Sequence, residues 1–383
     1  MSRARGTCLR GVLTAIWQAY DSDMNSAFHQ HGFLPAHAPA TRFQYHADLG
    51  GLDELGHDLP SLLHDRGFRK YVERVDIPPW PAGANDLAEM RLYYVRLGFL
   101  ASAYVNQVGE ERARVLPRKI AVPLADICKR LKRPPILSYD GYALFNWKRF
   151  DPSGPIALGN IDTIQNFVHL YDEHWFILVH VEIEAIAARL LEAIDRASQA
   201  AGQRDAAGVN QAIQDVAASV WQQVAVLRRI PEKMDPALYY RTFRPYITFF
   251  EGVLYEGVEP QPASYRGETG AQSSIMPTLV AFMKIPHKPS GLTNHLQDMR
   301  NYMPAEHRAL IEEVERMPSV RDLAEKEPFN DVLEAMATFR EVHYGWAQEY
   351  INQRVTDPRG TGGTPYMHWL KQLIDETRAC KID

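Results

Sequence analysis

From Asn160 onward, apolar residues recur at helical spacing almost without interruption, and this constrains the fold more than any other feature of the chain. The period predicts helices over 171–198, 207–228, 235–250, 273–283, 292–302, 304–317, 329–353 and 366–378. Before that point it predicts helices over 59–72, 85–108 and 124–132, separated by proline clusters at 78–81 and by prolines at 117, 123, 134 and 135. Strand signals are few. A mainly α fold follows, and 383 residues are enough for two domains.

Within the predicted helix 329–353, Met336, Phe339, His343, Ala347 and Tyr350 follow one another at steps of three, four, four and three, which puts them on one face. That face is apolar except for one imidazole and a terminal phenol. The stripe alone leaves two uses for His343: a core histidine with a single hydrogen bond, or a ligand.

Composition excludes several classes. Net charge is −5, from 42 basic and 47 acidic side chains mixed along the chain, so neither nucleic acid nor a solvating acidic arm is expected. Cys8, Cys128 and Cys380 lie far apart and form no CxxC pair, which predicts free thiols in a reducing, cytoplasmic compartment. The apolar run 12–17 is short for a signal segment and acids follow it, so the N-terminus is expected to be mature. No apolar run reaches membrane-spanning length, and no membrane partner is expected.

Several motifs lead nowhere. His29, His31 and His37 mimic a metal cluster, but no carboxylate or cysteine completes it, and a surface loop broken by glycine and proline is expected. Cys128 sits beside Lys129 and Arg130, which suits a solvated helix face better than a thiolate ligand. GTGGT at 360–364 has no preceding strand and no following GK[ST], so it is no phosphate loop; GxSxG and HExxH are absent. Tyr139, Tyr142, Phe145 and Trp147 suit a core segment or the cap of a flat ligand. Asp172 and Glu173 fall in the first turn of the predicted helix 171–198, where the helix dipole favours acids, and His180 shares a face with Glu184.

A set of segments in order resembles the indoleamine 2,3-dioxygenase family, within the haem-dependent tryptophan dioxygenase superfamily. They are HGFLP from His31, VLPRKIAVP at 115–123, PPILSY at 134–139, NWKRFDP at 146–152, GVLYEGV at 252–258, AQSS at 271–274, LQDMRNYMP at 296–304, His343 with its flanks, and GTGGT at 360–364. The likeness covers most of the chain beyond the first thirty residues and points to a bacterial-type member. It implies a small, mostly helical N-terminal domain, 1–160, roofing a large all-helical domain, 161–383, that holds haem b. His343 matches the proximal iron ligand. A neutral imidazole on a rigid helix supplies one axial bond, and its second nitrogen is expected to donate to a nearby acceptor.

On the opposite face of the haem, Tyr139, Tyr142, Ala143, Phe176, Ile177 and Tyr239 match pocket positions suited to a flat indole. Tyr142 and Ala143 depart from the cysteine and valine of mammalian members. Arg244 matches the arginine that forks onto a substrate carboxylate, its plainer use being a structural ion pair. Thr269 and Gly270 match a loop beside the substrate ammonium and haem edge, and Gly360 and Thr361 a mobile closing loop. His180 stands where mammalian indoleamine dioxygenases have serine and tryptophan 2,3-dioxygenases have histidine. It is expected to accept the indole N–H, or else to pair with Glu184. The implied reaction inserts both atoms of O2 across the indole C2–C3 bond of L-tryptophan to give N-formylkynurenine, with a cellular reductant starting the ferric form. Indole or another indole derivative as substrate, or a haem-based oxygen sensor without turnover, are the alternatives.

Overall fold

The computed structural model describes residues 27–64, 67–354 and 366–383. Helices make up 59% of the protein and strands 5%, so the fold is mainly α as expected. The helices used below are α1 (Gly50–Leu62), α2 (Phe68–Val72), α3 (Leu87–Val105), α4 (Arg118–Arg130), α5 (Tyr171–Gly202), α6 (Ala206–Leu227), α7 (Ile275–Phe282), α8 (Gly291–Arg300), α9 (Ala305–Arg316), α10 (Lys326–Tyr350) and α11 (Tyr366–Arg378). Among the described residues, none is long and apolar enough to cross a membrane.

α3 is buried on nearly all sides, and so runs through the middle of the N-terminal half. Its start is fixed by Asp86, whose side chain accepts from the Glu89 amide. Gly98 lets Leu137 close on the helix, since a Cβ there would lie 3.1 Å from the Leu137 side chain. Two small sheets accompany it. β4 (Phe250–Tyr255) pairs parallel with β1 (Val115–Leu116) and antiparallel with β5 (Ala263–Tyr265), while β2 (Trp147–Arg149) pairs antiparallel with β3 (Ile161–Thr163).

α5 and α6 form a long antiparallel hairpin. Its turn holds Arg204 at φ +55° and ends on Asp205, whose carboxylate caps α6 through the Gly208 amide. α10 packs on α6, and α11 packs on α10.

Two hydrophobic cores result, and α5 serves both. Ile177, Leu178 and Val181 enter the core built around α3 and α4, which reaches past residue 160 to Phe167, Tyr246 and Tyr255. Trp175, Val179 and Ile183 enter the core shared with α6, α7 and α10. Phe176 is half-buried and packs against both. The seam between the cores therefore runs along α5 at Phe176 and His180.

Candidate functional site

α10 carries the stripe with His343, and hydrogen bonds from several side chains hold the helix in place. Trp221 Nε1 donates to Asp331 Oδ1 at 2.9 Å, Trp346 Nε1 donates to Leu227 O at 3.3 Å, and buried Arg340 donates to Leu373 O at 3.0 Å and to Thr377 Oγ1. Met336 is fully buried at one end of the stripe, and Ala347 and Tyr350 are buried at the other. Between them, Phe339 is half-buried and His343 is exposed. Yet burial, followed by the nearby His180, lowers the His343 pKa to about 4. A side chain that is accessible and desolvated together borders a cavity inside the molecule. Neither His343 nitrogen bonds to a described residue, so the expected donor contact of its second nitrogen is not formed here.

His180 faces this space from α5. Its Nδ1 lies 2.7 Å from Phe176 O, and a carbonyl only accepts, so Nδ1 carries the proton. Burial lowers its pKa, keeping the ring neutral and leaving a lone pair on Nε2. The expected alternative, pairing with Glu184, does not occur. Glu184 Oε1 instead accepts from Tyr139 Oη at 2.7 Å and Ser273 Oγ at 2.6 Å.

Aromatic rings enclose the same region. Ring centroids are 4.6 Å apart for Phe176 and His180, 5.9 Å for Tyr139 and His180, 6.3 Å for Tyr142 and Phe176, and 5.6 Å for Phe176 and Tyr239. Two single π-helical turns position these groups. Asp140–Leu144 carries Tyr142 and Ala143 directly after Tyr139, and Tyr239–Phe243 runs directly into Arg244. Such turns shift side chains off the regular helical path and recur at functional sites. Arg244 is buried, 5.3 Å from the Tyr240 ring centroid. Ala143 is almost sealed and Ile177 wholly so, leaving Ile177 no surface towards the cavity. Thr269 is half-buried and Gly270 exposed, in the loop after β5. Gly360 and Thr361 lie outside the described residues, as do Cys8 and the N-terminal stretch.

Three buried acids ring the pocket. Glu173 does more than meet a helix dipole: it is fully buried, accepts from the Phe167 and Val168 amides and from Tyr142 Oη, and burial raises its pKa to about 7. Burial likewise raises Glu184 to about 7 and Glu268 to about 8. Glu268 carries little signal in the sequence, an acid directly after a glycine in RGETG.

Two expectations outside the pocket are corrected. Cys128 is fully buried, and desolvation pushes its thiol up to about 12, so it is neither solvated nor a thiolate. The stretch around His31 is not a plain surface loop, because Phe28, Phe33 and Leu34 are buried. Gly32, at φ +63°, is pressed against α5 where a Cβ would lie 2.0 Å from Glu184 O.

No group of three or more His, Cys, Asp or Glu side chains able to hold a metal ion exists among the described residues. A lone imidazole bordering the cavity would suit an iron whose other ligands come from a macrocycle. Around His180 stand aromatic faces and one neutral acceptor nitrogen.

Comparison with known proteins gives the family. The family model described as indoleamine 2,3-dioxygenase matches residues 25–355. Indoleamine 2,3-dioxygenase 1 of Rattus norvegicus is 30% identical, over 84% of this chain and 86% of the relative. Indoleamine 2,3-dioxygenase of Saccharomyces cerevisiae is 29% identical over 91% of each. A protein named myoglobin from Haliotis madaka is 26% identical, over 85% of this chain and 90% of its own. With the family matched over most of its length, the chain belongs to the indoleamine 2,3-dioxygenase family and is a haem-dependent dioxygenase of that type.

Proposed function

We propose that this enzyme cleaves the indole C2–C3 bond of L-tryptophan with O2, giving N-formylkynurenine. His343 would hold the haem iron, residues 161–383 would form the haem-holding part, and residues up to 160 would roof it. Haem supplies the dioxygen chemistry when bound. The work of the chain is to bind, orient and keep the pocket dry. Tyr139, Tyr142, Phe176 and Tyr239 take the indole between apolar faces, with Ala143 and Ile177 packed behind them. Arg244 takes the carboxylate by two parallel bonds. Thr269 and Gly270 would lie beside the substrate ammonium group, Gly360 and Thr361 would close over the substrate, and a cellular reductant is a partner of the enzyme. The catalysis takes place in the cytoplasm.

The observation that carries the reading is the His180 tautomer. With Nδ1–H given to Phe176 O, Nε2 is a bare acceptor beside the cavity. An indole N–H is a donor with no acceptor capacity, so the two groups are complementary. A substrate hydrogen-bonded there is held with its C2–C3 edge in one orientation.

The test is to reduce the haem-loaded protein anaerobically with dithionite, admit air with tryptophan, and follow the product by mass. A gain of two oxygen atoms per tryptophan is expected. The likeness to a protein named myoglobin favours a second reading, oxygen binding without turnover. An oxygenated spectrum with unchanged tryptophan would select it.

A further inference from the structure

We propose that Glu184 is a positioning residue: one buried carboxylate oxygen locks Tyr139 and the 269–273 loop to the face of α5 that carries His180, so that the wall of the pocket is held as one body. The inference rests on the indole-binding reading above and adds the group that keeps its parts in register.

α5 presents Glu173, Phe176, His180 and Glu184 along one face, at steps of three, four and four. An acid therefore flanks the Phe176–His180 stretch at each end. Each acid receives a tyrosine hydroxyl from the segment that carries the first π turn. Tyr142 Oη donates to Glu173 Oε1 at 3.1 Å, and Tyr139 Oη donates to Glu184 Oε1 at 2.7 Å. The two acids differ in what else they hold. Glu173 also accepts from the Phe167 and Val168 amides, so the chain leading into α5 depends on it. No described backbone group bonds to the Glu184 side chain. Its Oε1 takes the Tyr139 hydroxyl and, at 2.6 Å, the Ser273 hydroxyl, while its Oε2 is sealed without a partner. Everything this carboxyl holds belongs to the pocket wall or to the loop beside it.

Tyr139 is tied at both ends. Its amide donates to Gln272 Oε1 at 3.0 Å and its hydroxyl to Glu184, so the ring has no freedom to swing. Gln272 Nε2 in turn donates to Gly267 O at 3.0 Å, and Ser273 follows directly in the chain. Tyr139 and the loop are thus joined through Gln272 and again through Glu184. The Tyr139 ring meets His180 edge-on, with centroids 5.9 Å apart and planes at 77°. That imidazole is held at Nδ1 by Phe176 O. Glu184 itself is braced from another side. The Phe33 amide donates to Glu184 O at 3.4 Å, and Gly32 lies so close that a Cβ on it would fall 2.0 Å from the same oxygen. A buried hydroxyl without an acceptor costs free energy, so removing the carboxyl would send Tyr139 and Ser273 to other partners and loosen the wall.

The test takes Glu184→Ala, Tyr139→Phe and the double variant, all haem-loaded, with two readouts. Hydrogen–deuterium exchange reads the wall directly. Glu184→Ala is expected to speed amide exchange in 139–145 and 267–275 roughly tenfold and to leave α6 unchanged. Turnover reads the consequence. Each single variant is expected to raise the tryptophan KM roughly fivefold with kcat changed less than about twofold, and the double variant no further than the larger single, because both remove the same tie. KM effects that multiply in the double variant, an unchanged KM, or faster exchange throughout the protein with no local excess overturns the assignment. Should Glu184→Ala fail to fold, Tyr139→Phe and Ser273→Ala each cut one tie and leave the acid in place. Faster exchange confined to the same two segments supports the assignment, and no local change in either variant overturns it. If wild type forms no product from tryptophan, the dioxygenase reading fails, whereas the exchange pattern still decides the role of Glu184.

Discussion

At the scale of single residues, the pocket is defined by what its polar atoms lack. His343 is accessible yet held neutral by desolvation and free of described hydrogen bonds, and His180 turns a bare Nε2 to the same cavity. These states give separable expectations. His343→Ala is expected to lose the haem absorption band while keeping the helical circular dichroism, because the side chain makes no described hydrogen bond that supports the fold. Added imidazole restores the band. Retention of an unaltered band by His343→Ala would refute the axial role. For His180→Ala, loss of one neutral hydrogen bond, worth about 1 kcal/mol, predicts a rise in tryptophan KM of roughly fivefold. 1-Methyltryptophan, which lacks the N–H, is expected to show no such rise; parallel losses on both compounds would mean that His180 merely packs.

At the scale of elements, the site depends on how α10 is held and on where regular helix gives way. Arg340 lies one turn before His343, and burial lowers its pKa to about 10. It ties α10 to Leu373 and Thr377 of α11, beside the outer Arg378 pairs with Glu334 and Glu341. Arg340→Ala removes both of these bonds and leaves a gap between the helices, at a cost of about 2–4 kcal/mol. The check is a lower midpoint in chemical denaturation together with weaker haem retention; Arg378→Ala, at a more exposed pair, is expected to cost under about 1 kcal/mol. The long helices were legible in the sequence because burying one face writes a 3.6-residue period, as with Tyr171–Gly202 against the predicted 171–198. The region read as one helix, 235–250, was not. It contains a short turn at Pro236–Leu238, the π turn Tyr239–Phe243 and then β4 from Phe250, with Pro245 ending helical continuation. A π turn adds a residue without changing composition, so periodicity misses it. Pocket positions came from the family likeness, whereas Glu268 and the Glu184–Tyr139–Ser273 contacts depend on distant segments meeting, which spacing along one strand or helix never records.

At the scale of the whole molecule, the meeting of two cores on α5 gathers titratable groups that water would otherwise claim, and this sets how stability responds to pH. Glu173 and Glu184 are raised from 4.5 to about 7 and Glu268 to about 8. Between the unfolded and folded values the native state holds more protons than the unfolded chain, so stability falls as pH rises through that window. Four histidines, each lowered first by desolvation, act in the opposite direction. His180 is lowered, and His295, His307 and His343 are lowered to about 4, so below 6.5 the unfolded chain binds the extra protons and stability falls as pH drops. The two effects overlap below pH 6.5. From pH 6.5 to 8 only the acids act, with Glu268 persisting furthest. Heat denaturation across that interval is therefore expected to show Tm falling, on the order of a few degrees. Glu268→Gln, having no proton to lose, is expected to remove the largest part of the slope above pH 7. A wild-type Tm that is flat or rising over this interval would show that the three carboxyls are already ionised in the folded protein.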